Sequence, residues 1–401
     1  MNFNPYQIAD GVFYVGVNDR QKALFENMIP LPNGVSYNSY LIVDEKVVLI
    51  DTVEAGYSEQ FLRQIKEAAG GRPVDYVIID HMEPDHSSSL SALIREFPEI
   101  RIVGNSKTIG MIEGYYGITE GFYEVADGDT LAIGKRLLQF YFTPMVHWPE
   151  VMMTYNVTDK ILFSADAFGC FGTLDGAVMD VQLLLDKYWN EMYRYYANII
   201  GKYGSAVQQA FKKLSNLSIE MIASTHGPVW TGERLSKVMG IYDQLSRYEG
   251  QEGVVVVYGS MYGHTEAMAE AVARGVIEGG MTNVVLHDVS KSHPADILAD
   301  IFKYSGLVIG CPTYCNGLYP EIAALLDKIA VRSVKNRVFG AFGSFTWAGT
   351  TIKNLSAFAE KMGWNLVGTV EQKQALSAEN YKALLELGKS MCLSIKQLTK
   401  N

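Results

Sequence analysis

The chain predicts two domains of different class: a mixed α+β domain over residues 1–250 and a doubly wound α/β domain with a five-stranded parallel sheet over residues 251–401. Three observations lead there. The first part carries short apolar runs separated by turns and helical patterns. The polar, glycine-bearing stretch Ser246-Arg-Tyr-Glu-Gly-Gln-Glu-Gly253 has no periodicity and marks a boundary. Beyond it, apolar runs and helical patterns alternate strictly. With 401 residues, each domain has enough chain for its own core.

In the first part, Asn38-Ser-Tyr-Leu-Ile-Val43 and Val47-Val-Leu-Ile-Asp51 flank the turn Asp44-Glu-Lys46, which reads as a β-hairpin. Helical spacing follows over residues 58–69, 88–97 and 106–115, the first stopped by Gly70-Gly71. Aromatic and aliphatic residues recurring at helical spacing predict longer helices over 180–215, with the Tyr and Leu stripes in the core.

In the second part, Val254–Val257 reads as a buried strand and 264–278 as a helix, followed by a strand at Asn283–His287 and a helix over 295–303. Leu307–Gly310, Arg337–Phe342 and Asn365–Val370 complete five strands, with helices near 320–330, 350–362 and from 378 onward. Strands separated by helices pair in parallel, and five of them make a sheet of flavodoxin type. Such sheets bind ligands beyond the carboxyl ends of their strands.

The loop after the first of these strands is Tyr258-Gly-Ser-Met-Tyr-Gly-His-Thr-Glu266. Ser260 and Thr265 offer hydroxyls, Gly263 lets backbone approach closely, and the helix start that follows presents free N–H groups, so the loop reads as a phosphate cradle. Met261, Tyr262 and His264 fill the rest of it. Neither a Walker loop nor a Gly-x-Gly-x-x-Gly fingerprint is present, which favours one phosphate over a pyrophosphate. Cys311-Pro-Thr-Tyr-Cys-Asn-Gly317 brings Pro312, Thr313, Tyr314, Asn316 and Gly317; Gly343-Ser-Phe-Thr-Trp-Ala-Gly349 brings Ser344, Phe345, Trp347 and Gly349. Both loops suit a flat aromatic ring. Cys311 and Cys315 read as small apolar fillers.

A denser signal lies in the first part. His81-Met-Glu83-Pro-Asp85-His86 follows the apolar run Val74-Asp-Tyr-Val-Ile-Ile79, placing two imidazoles and two carboxylates at the mouth of a strand. His147 follows the run 137–146, Asp166 the run 160–165, and His226 the run 219–225. Every histidine before residue 250 thus stands at a strand end, which is how a sheet gathers a site from distant segments. The set is a mixed N/O one, unlike the cysteine-rich set of a structural zinc site; its imidazoles suit iron, zinc or copper and its carboxylates favour harder ions such as iron or manganese.

These residues and loops together resemble the flavodiiron proteins, over essentially the whole chain and in that family's domain order. The pattern His-x-Glu-x-Asp-His followed by His, Asp and His resembles the family's metallo-β-lactamase-like domain. Ordinary zinc hydrolases of that fold carry His where Glu83 stands, and carboxylate in place of imidazole favours an iron pair. The resemblance implies an N-terminal αββα sandwich and a C-terminal flavodoxin-like FMN domain. It implies that His81, Glu83 and His147 bind one iron, that Asp85, His86 and His226 bind the other, and that Asp166 bridges them. It also implies reduction of dioxygen to water, of nitric oxide to nitrous oxide, or of both, protecting an anaerobic or microaerobic cell. Tyr195 aligns with a family tyrosine near the metal pocket and is the expected catalytic residue. A head-to-tail homodimer, or a pair of such dimers, is expected to bring one subunit's FMN to its partner's irons. The rival readings are a zinc hydrolase with an appended flavodoxin module, against which Glu83 and the flavin loops count, and a non-catalytic electron carrier.

Composition narrows the partners. A hydrophobic share of 48% with 19% charged residues describes a globular protein. The net charge of −10 counts against nucleic acid and anionic membrane. No signal-like segment and no bilayer-length apolar run are visible, so a cytoplasmic location is expected. The four cysteines form no Cys-x-x-Cys pair, so a rubredoxin-type site is not expected within these residues. The electron donor is therefore expected to be separate: rubredoxin, a reductase or reduced deazaflavin.

Overall fold

In a computed structural model, which describes residues 5–398, the chain divides into two compact units. One comprises the residues up to Tyr195 with Ser205–Asp243; the other comprises Tyr196–Gly204 with the residues from Gln244 onward. This division differs from a cut at 250. Residues 196–204 join the second unit because Tyr196 packs on Phe302 with ring centroids 6.0 Å apart, and Ala197 O accepts from Arg332 Nε at 2.8 Å. Nothing in the local apolar periodicity distinguishes that segment.

The first unit contains two mixed sheets. In the seven-stranded sheet, Tyr6–Ala9, Val12–Tyr14, Tyr40–Val43 and Val47–Ile50 pair antiparallel; Tyr76–Ile78, Arg101–Gly104 and Phe122–Glu124 then extend it in parallel. The parallel steps need crossovers, which the helices Ser58–Ala68, Leu90–Glu96 and Ser106–Tyr116 supply. The last of these starts where the Asn105 side chain accepts from Lys107 N and Thr108 N, and ends at Gly117 with φ 66°. The six-stranded sheet runs Thr130–Ala132, Leu137–Phe142, Met152–Asn156, Ile161–Phe163, Met221–Ala223, Trp230–Thr231. Its Ile161–Phe163 and Met221–Ala223 strands are parallel neighbours, so their carboxyl ends lie on one side.

The helical stretch expected over 180–215 is interrupted. Asp186–Tyr195 is α-helical, Tyr196–Ile200 is a π-helical turn, Gly201–Tyr203 is a 3₁₀ turn, and Gly204–Leu214 resumes the α-helix. Turns of this wide kind are rare and occur often at functional sites.

The second unit is a five-stranded parallel sheet in the order Val284–Asp288, Gln251–Tyr258, Tyr304–Pro312, Val338–Phe345, Asn365–Lys373. Written in chain order this is 2-1-3-4-5, with its switch point beside the first strand. The central Tyr304–Pro312 strand is buried throughout, which is why it reads as a continuous apolar run. The helices His264–Glu278 and Ala378–Leu398 touch backbone to backbone: a Cβ on Gly275 would lie 2.2 Å from Leu385 O, and one on Gly388 would lie 2.3 Å from Val272 O. Only glycine permits that approach.

Candidate metal centre and flavin cavity

The strand ends deliver the histidines as a set. Tyr76–Ile78 leads to His81, Leu137–Phe142 to His147, Ile161–Phe163 to Asp166, and Met221–Ala223 to His226. Asp85 and His86 stand on the short helix Pro84–Ser87, opened by a proline at its first position. The backbone at these ends is strained. Met145 (φ 66°) precedes His147, Ala165 (φ 48°) precedes Asp166, and Asp51 (φ 53°) turns beneath His81.

The seven side chains are buried and fall into two groups, His81, Glu83, His147 and Asp166 in one and Asp85, His86 and His226 in the other, each with ligand atoms within 4.8 Å of one another. Asp166 faces both. Its Oδ2 lies 3.4 Å from His81 Nε2 and 3.1 Å from His147 Nε2; its Oδ1 lies 3.2 Å from His86 Nε2 and 3.7 Å from His226 Nε2. Glu83 Oε2 closes the first group at 3.1 Å from His147 and 3.4 Å from His81, and Asp85 Oδ2 the second at 3.4 Å from both His86 and His226. With metal–ligand bonds of about 2.0–2.2 Å, neighbouring ligands of one ion stand about 3.0–3.6 Å apart. The observed separations match that spacing.

Other residues aim these ligands. His81 Nδ1–H donates to Glu150 Oε1 at 2.9 Å, which leaves Nε2 facing the centre. Glu150 is held in turn by Met82 N at 2.9 Å and by Asn105 Nδ2 on its carbonyl at 2.6 Å. His226 Nδ1–H donates to Ser36 O at 2.7 Å, and Thr225 Oγ1 donates to Asp166 Oδ1 at 2.6 Å. Asp51 Oδ1 accepts from Asp80 N at 2.8 Å and His81 N at 3.2 Å. Sequence reasoning missed Glu150, Ser36 and Asp51. The spacing His147-Trp148-Pro149-Glu150 was the one available hint. Glu150→Gln is expected to lower iron affinity about tenfold to a hundredfold, read by equilibrium dialysis against a chelator, because fixing the imidazole tautomer is worth that much in other metal sites. Unchanged affinity would remove Glu150 from the site.

The electrostatics call for cations. His81 Nε2, Asp166 Oδ2 and both Asp85 carboxylate oxygens are buried without a hydrogen-bond partner. Burial opposes charge on His147, yet the Asp166 and Glu83 carboxylates push its pKa up to about 9. Burial, reinforced by the Glu83 charge, pushes Asp85 up to about 8. Protons would have to occupy positions that a divalent ion fills better, and ions bound there would displace them. The residues fit a two-metal site.

Tyr195 is fully buried, 5.4 Å from His226 and 4.9 Å from Phe171 between ring centroids. Its hydroxyl has no hydrogen-bond partner, and burial with the nearby Asp166 charge holds its pKa well above the usual 10. It remains a proton donor. Trp148, also missed, stands with its ring 5.4 Å from His81.

The three loops of the second unit surround a cavity of about 510 Å³. Ser260, Met261, Tyr262, His264, Thr265, Pro312, Thr313, Tyr314, Asn316, Ser344, Phe345 and Trp347 line it. Three expected residues do not. Gly263 (φ 87°) shapes the start of helix His264–Glu278, Gly317 pairs its backbone with Tyr314, and Gly349 sits where a Cβ would meet Glu371 Oε1 at 2.4 Å. Cys315, expected as a filler, is exposed on the cavity wall, and Gln374 joins from just past the end of the edge strand Asn365–Lys373. Ser260 Oγ accepts from Gly263 N at 3.1 Å and Thr265 Oγ1 reaches Ser344 Oγ at 2.9 Å, so the hydroxyls converge at the helix start. Trp347 and Tyr262 are 85% and 84% exposed, rings left without cover at the mouth. A phosphate seat with flanking aromatics fits a flavin mononucleotide.

Comparison with known proteins agrees. Residues 35–227 match the ODP family beta lactamase and residues 256–388 match flavodoxin. An anaerobic nitric oxide reductase flavorubredoxin of Aliivibrio fischeri is 33% identical over 390 residues, covering 95% of this chain and 78% of that protein. The rubredoxin oxygen:oxidoreductase of Desulfovibrio gigas superposes with a TM-score of 0.93 at 30% identity, covering 99% of this chain and all of the other. The flavodiiron protein of Giardia intestinalis gives a TM-score of 0.93 at 28% identity, covering 99% and 98%. Fold and site thus define an oxidoreductase with a β-lactamase-like domain and a flavodoxin domain. The chain belongs to the flavodiiron protein family, whose cofactors are FMN and a diiron centre.

Proposed function

We propose that this protein reduces nitric oxide to nitrous oxide, dioxygen to water, or both, with His81, Glu83, His147, Asp166, Asp85, His86 and His226 holding two irons. The observation that carries the reading is Asp166, whose two carboxylate oxygens each face a different ligand group. The relative from Aliivibrio fischeri is named for nitric oxide and the structure from Desulfovibrio gigas for oxygen, which supports both gases. When bound, the iron pair and reduced FMN supply the electrons, two for coupling two nitric oxide molecules and four for dioxygen. Residues of the chain do the rest. Asp166 sets the two positions side by side, so that two small molecules are held in proximity. Burial of the ligands keeps bulk water away. The Tyr195 hydroxyl, protonated and unpartnered, donates a hydrogen bond to oxygen of the substrate. Tyr195→Phe is expected to lower turnover about tenfold or more at unchanged iron content, since a placed proton donor contributes at least that much. Full activity with both gases would remove Tyr195 from the mechanism.

The flavin seat comprises the three loops around the 510 Å³ cavity. The exposed Trp347 and Tyr262 at its mouth support a head-to-tail homodimer, alone or paired, that covers them and brings FMN to a partner's irons. Electrons come from rubredoxin, a reductase or reduced deazaflavin. Among the described residues no helix is long and apolar enough to cross a membrane, which is compatible with a cytoplasmic site of action.

The test is metal and flavin analysis of native protein, followed by mixing anaerobically reduced protein with nitric oxide or dioxygen. Iron, FMN and stoichiometric gas consumption are expected. Zinc alone would favour the hydrolase reading, and flavin reoxidation without water or nitrous oxide would favour an electron carrier.

A further inference from the structure

The first unit holds a second cavity, of about 320 Å³, lined by no residue of the metal centre or of the flavin cavity. Pockets for small ligands begin at about that size. One wall is a face of the helix Ser58–Ala68, where Gln60, Gln64 and Glu67 follow one another at helical spacing. Two main-chain carbonyls fix the Gln64 amide. Its nitrogen donates to Val15 O at 2.6 Å and to Gly16 O at 3.0 Å, and its oxygen accepts from Gln60 Nε2 at 3.2 Å. Asn18 Oδ1 accepts from Leu174 N at 2.7 Å, which ties the strand Val17–Asp19 to the loop 174–178 on another wall. Both walls are thus hydrogen-bonded in place.

Glu67 is the member left unsatisfied. Its Oε2 is buried without a hydrogen-bond partner, and no Lys, Arg or His lines the cavity. Glu67 also stands in the last turn of its helix, where the carbonyl end of the dipole disfavours a carboxylate. Arg20 and Lys187, the basic side chains that reach the loop at Asp175, are paired there. A dry carboxylate oxygen is costly, and in native proteins such a group has a partner, from the chain or from a ligand. The aromatic part of the lining suits a cation as well. Tyr6 OH donates to Gln182 Oε1 and Tyr14 OH to Asn38 Oδ1 at 3.2 Å, so both phenol protons are spent and the rings are what remains for a ligand. Gly16 makes room for one of them, since a Cβ there would lie 2.7 Å from Tyr14 Cζ.

We propose that this cavity binds a primary alkylammonium ion, with its nitrogen against Glu67 and its short chain along Val17, Leu174 and Val178. A divalent metal ion fits poorly: calcium takes about six to eight oxygen ligands, and the lining holds one carboxylate. An anion would be repelled by Glu67, and a neutral chain would leave its charge uncompensated. The inference is independent of the metal and flavin assignments, which use other residues.

The test titrates the full chain, loaded with iron and FMN, with n-butylammonium, 1-butanol and butanoate by calorimetry at fixed salt. n-Butylammonium is expected to bind saturably at one site per chain, with 1-butanol at least about tenfold weaker and butanoate without measurable binding, because a hydrogen bond to a charged group is worth about that factor. Glu67→Gln keeps the shape and removes the charge, and is expected to weaken n-butylammonium binding about tenfold or more. Ala177→Phe, on the lining loop, fills the space and is expected to abolish binding. The net charge of −10 attracts any cation loosely, so binding that does not saturate, or that survives Glu67→Gln unchanged, overturns the proposal. Equal affinity for n-butylammonium and 1-butanol overturns it too. Wild-type affinity in Ala177→Phe does the same, and decides the matter even where the Glu67 variant fails to fold.

Discussion

Asp166→Ala is expected to yield protein with less than half of the wild-type iron and activity reduced about a thousandfold or more, beyond the ten- to hundredfold that residues merely orienting a ligand contribute. The reason is geometric. Asp166 is fully buried and its oxygens stand 3.1–3.4 Å from His81 and His147 on one side, and 3.2 Å from His86 on the other. Removing it takes one anionic ligand from each group at once and leaves the imidazoles facing one another; His86 Nε2 and His226 Nε2 are already 3.1 Å apart. Asp166→Asn keeps the shape and removes the charge, so it should retain more iron than the alanine variant yet stay below wild type. Iron determination with gas consumption on both variants checks this. Wild-type iron in Asp166→Ala would overturn the bridging assignment.

Arg337→Met is expected to destabilise the flavodoxin unit by about 3–5 kcal/mol, the range for stripping a buried charged group from its partners. Arg337 is 1% exposed and makes five hydrogen bonds, all to main-chain carbonyls: Ile301 O through Nε, Phe302 O through Nη2, and Tyr248, Lys335 and Asn336 through Nη1. Burial lowers its pKa to about 10, yet it stays charged at neutral pH. Methionine fills the volume but leaves those carbonyls dry. Lysine would not rescue fully, since it presents its donors from one point rather than a planar fork. Denaturant unfolding followed by release of FMN fluorescence reads the effect, with iron content as a control expected to hold. A loss under about 1 kcal/mol would mean that water replaces the guanidinium.

How much of this was legible follows from where each signal lives. His81, His147 and His226 could be read because each follows an apolar run that is a real strand, Met221–Ala223 in the last case, whereas His86 stands on the short helix Pro84–Ser87 and was read only from its place in the motif. The second unit was legible to within a few residues because buried parallel strands are continuous apolar runs separated by helices. Glu150 was not, since a lone carboxylate after proline looks like any surface loop until Asn105 and His81 are folded against it. The hairpin Leu24–Pro30 escaped because strands of two residues carry no alternation. The π-helical turn at Tyr196–Ile200 was hidden because aromatic spacing continues through it. Ser36 contributes a backbone carbonyl, which no side-chain pattern announces.

The ligands run from position 81 to position 226, and the group containing His86 is closed by the last of them. A nascent chain emerging from the ribosome therefore holds an incomplete, strongly acidic nest until His226 is out. The pair of sites can therefore be filled only once the first domain's last ligand has emerged, and ions bound then displace the protons that otherwise occupy the nest.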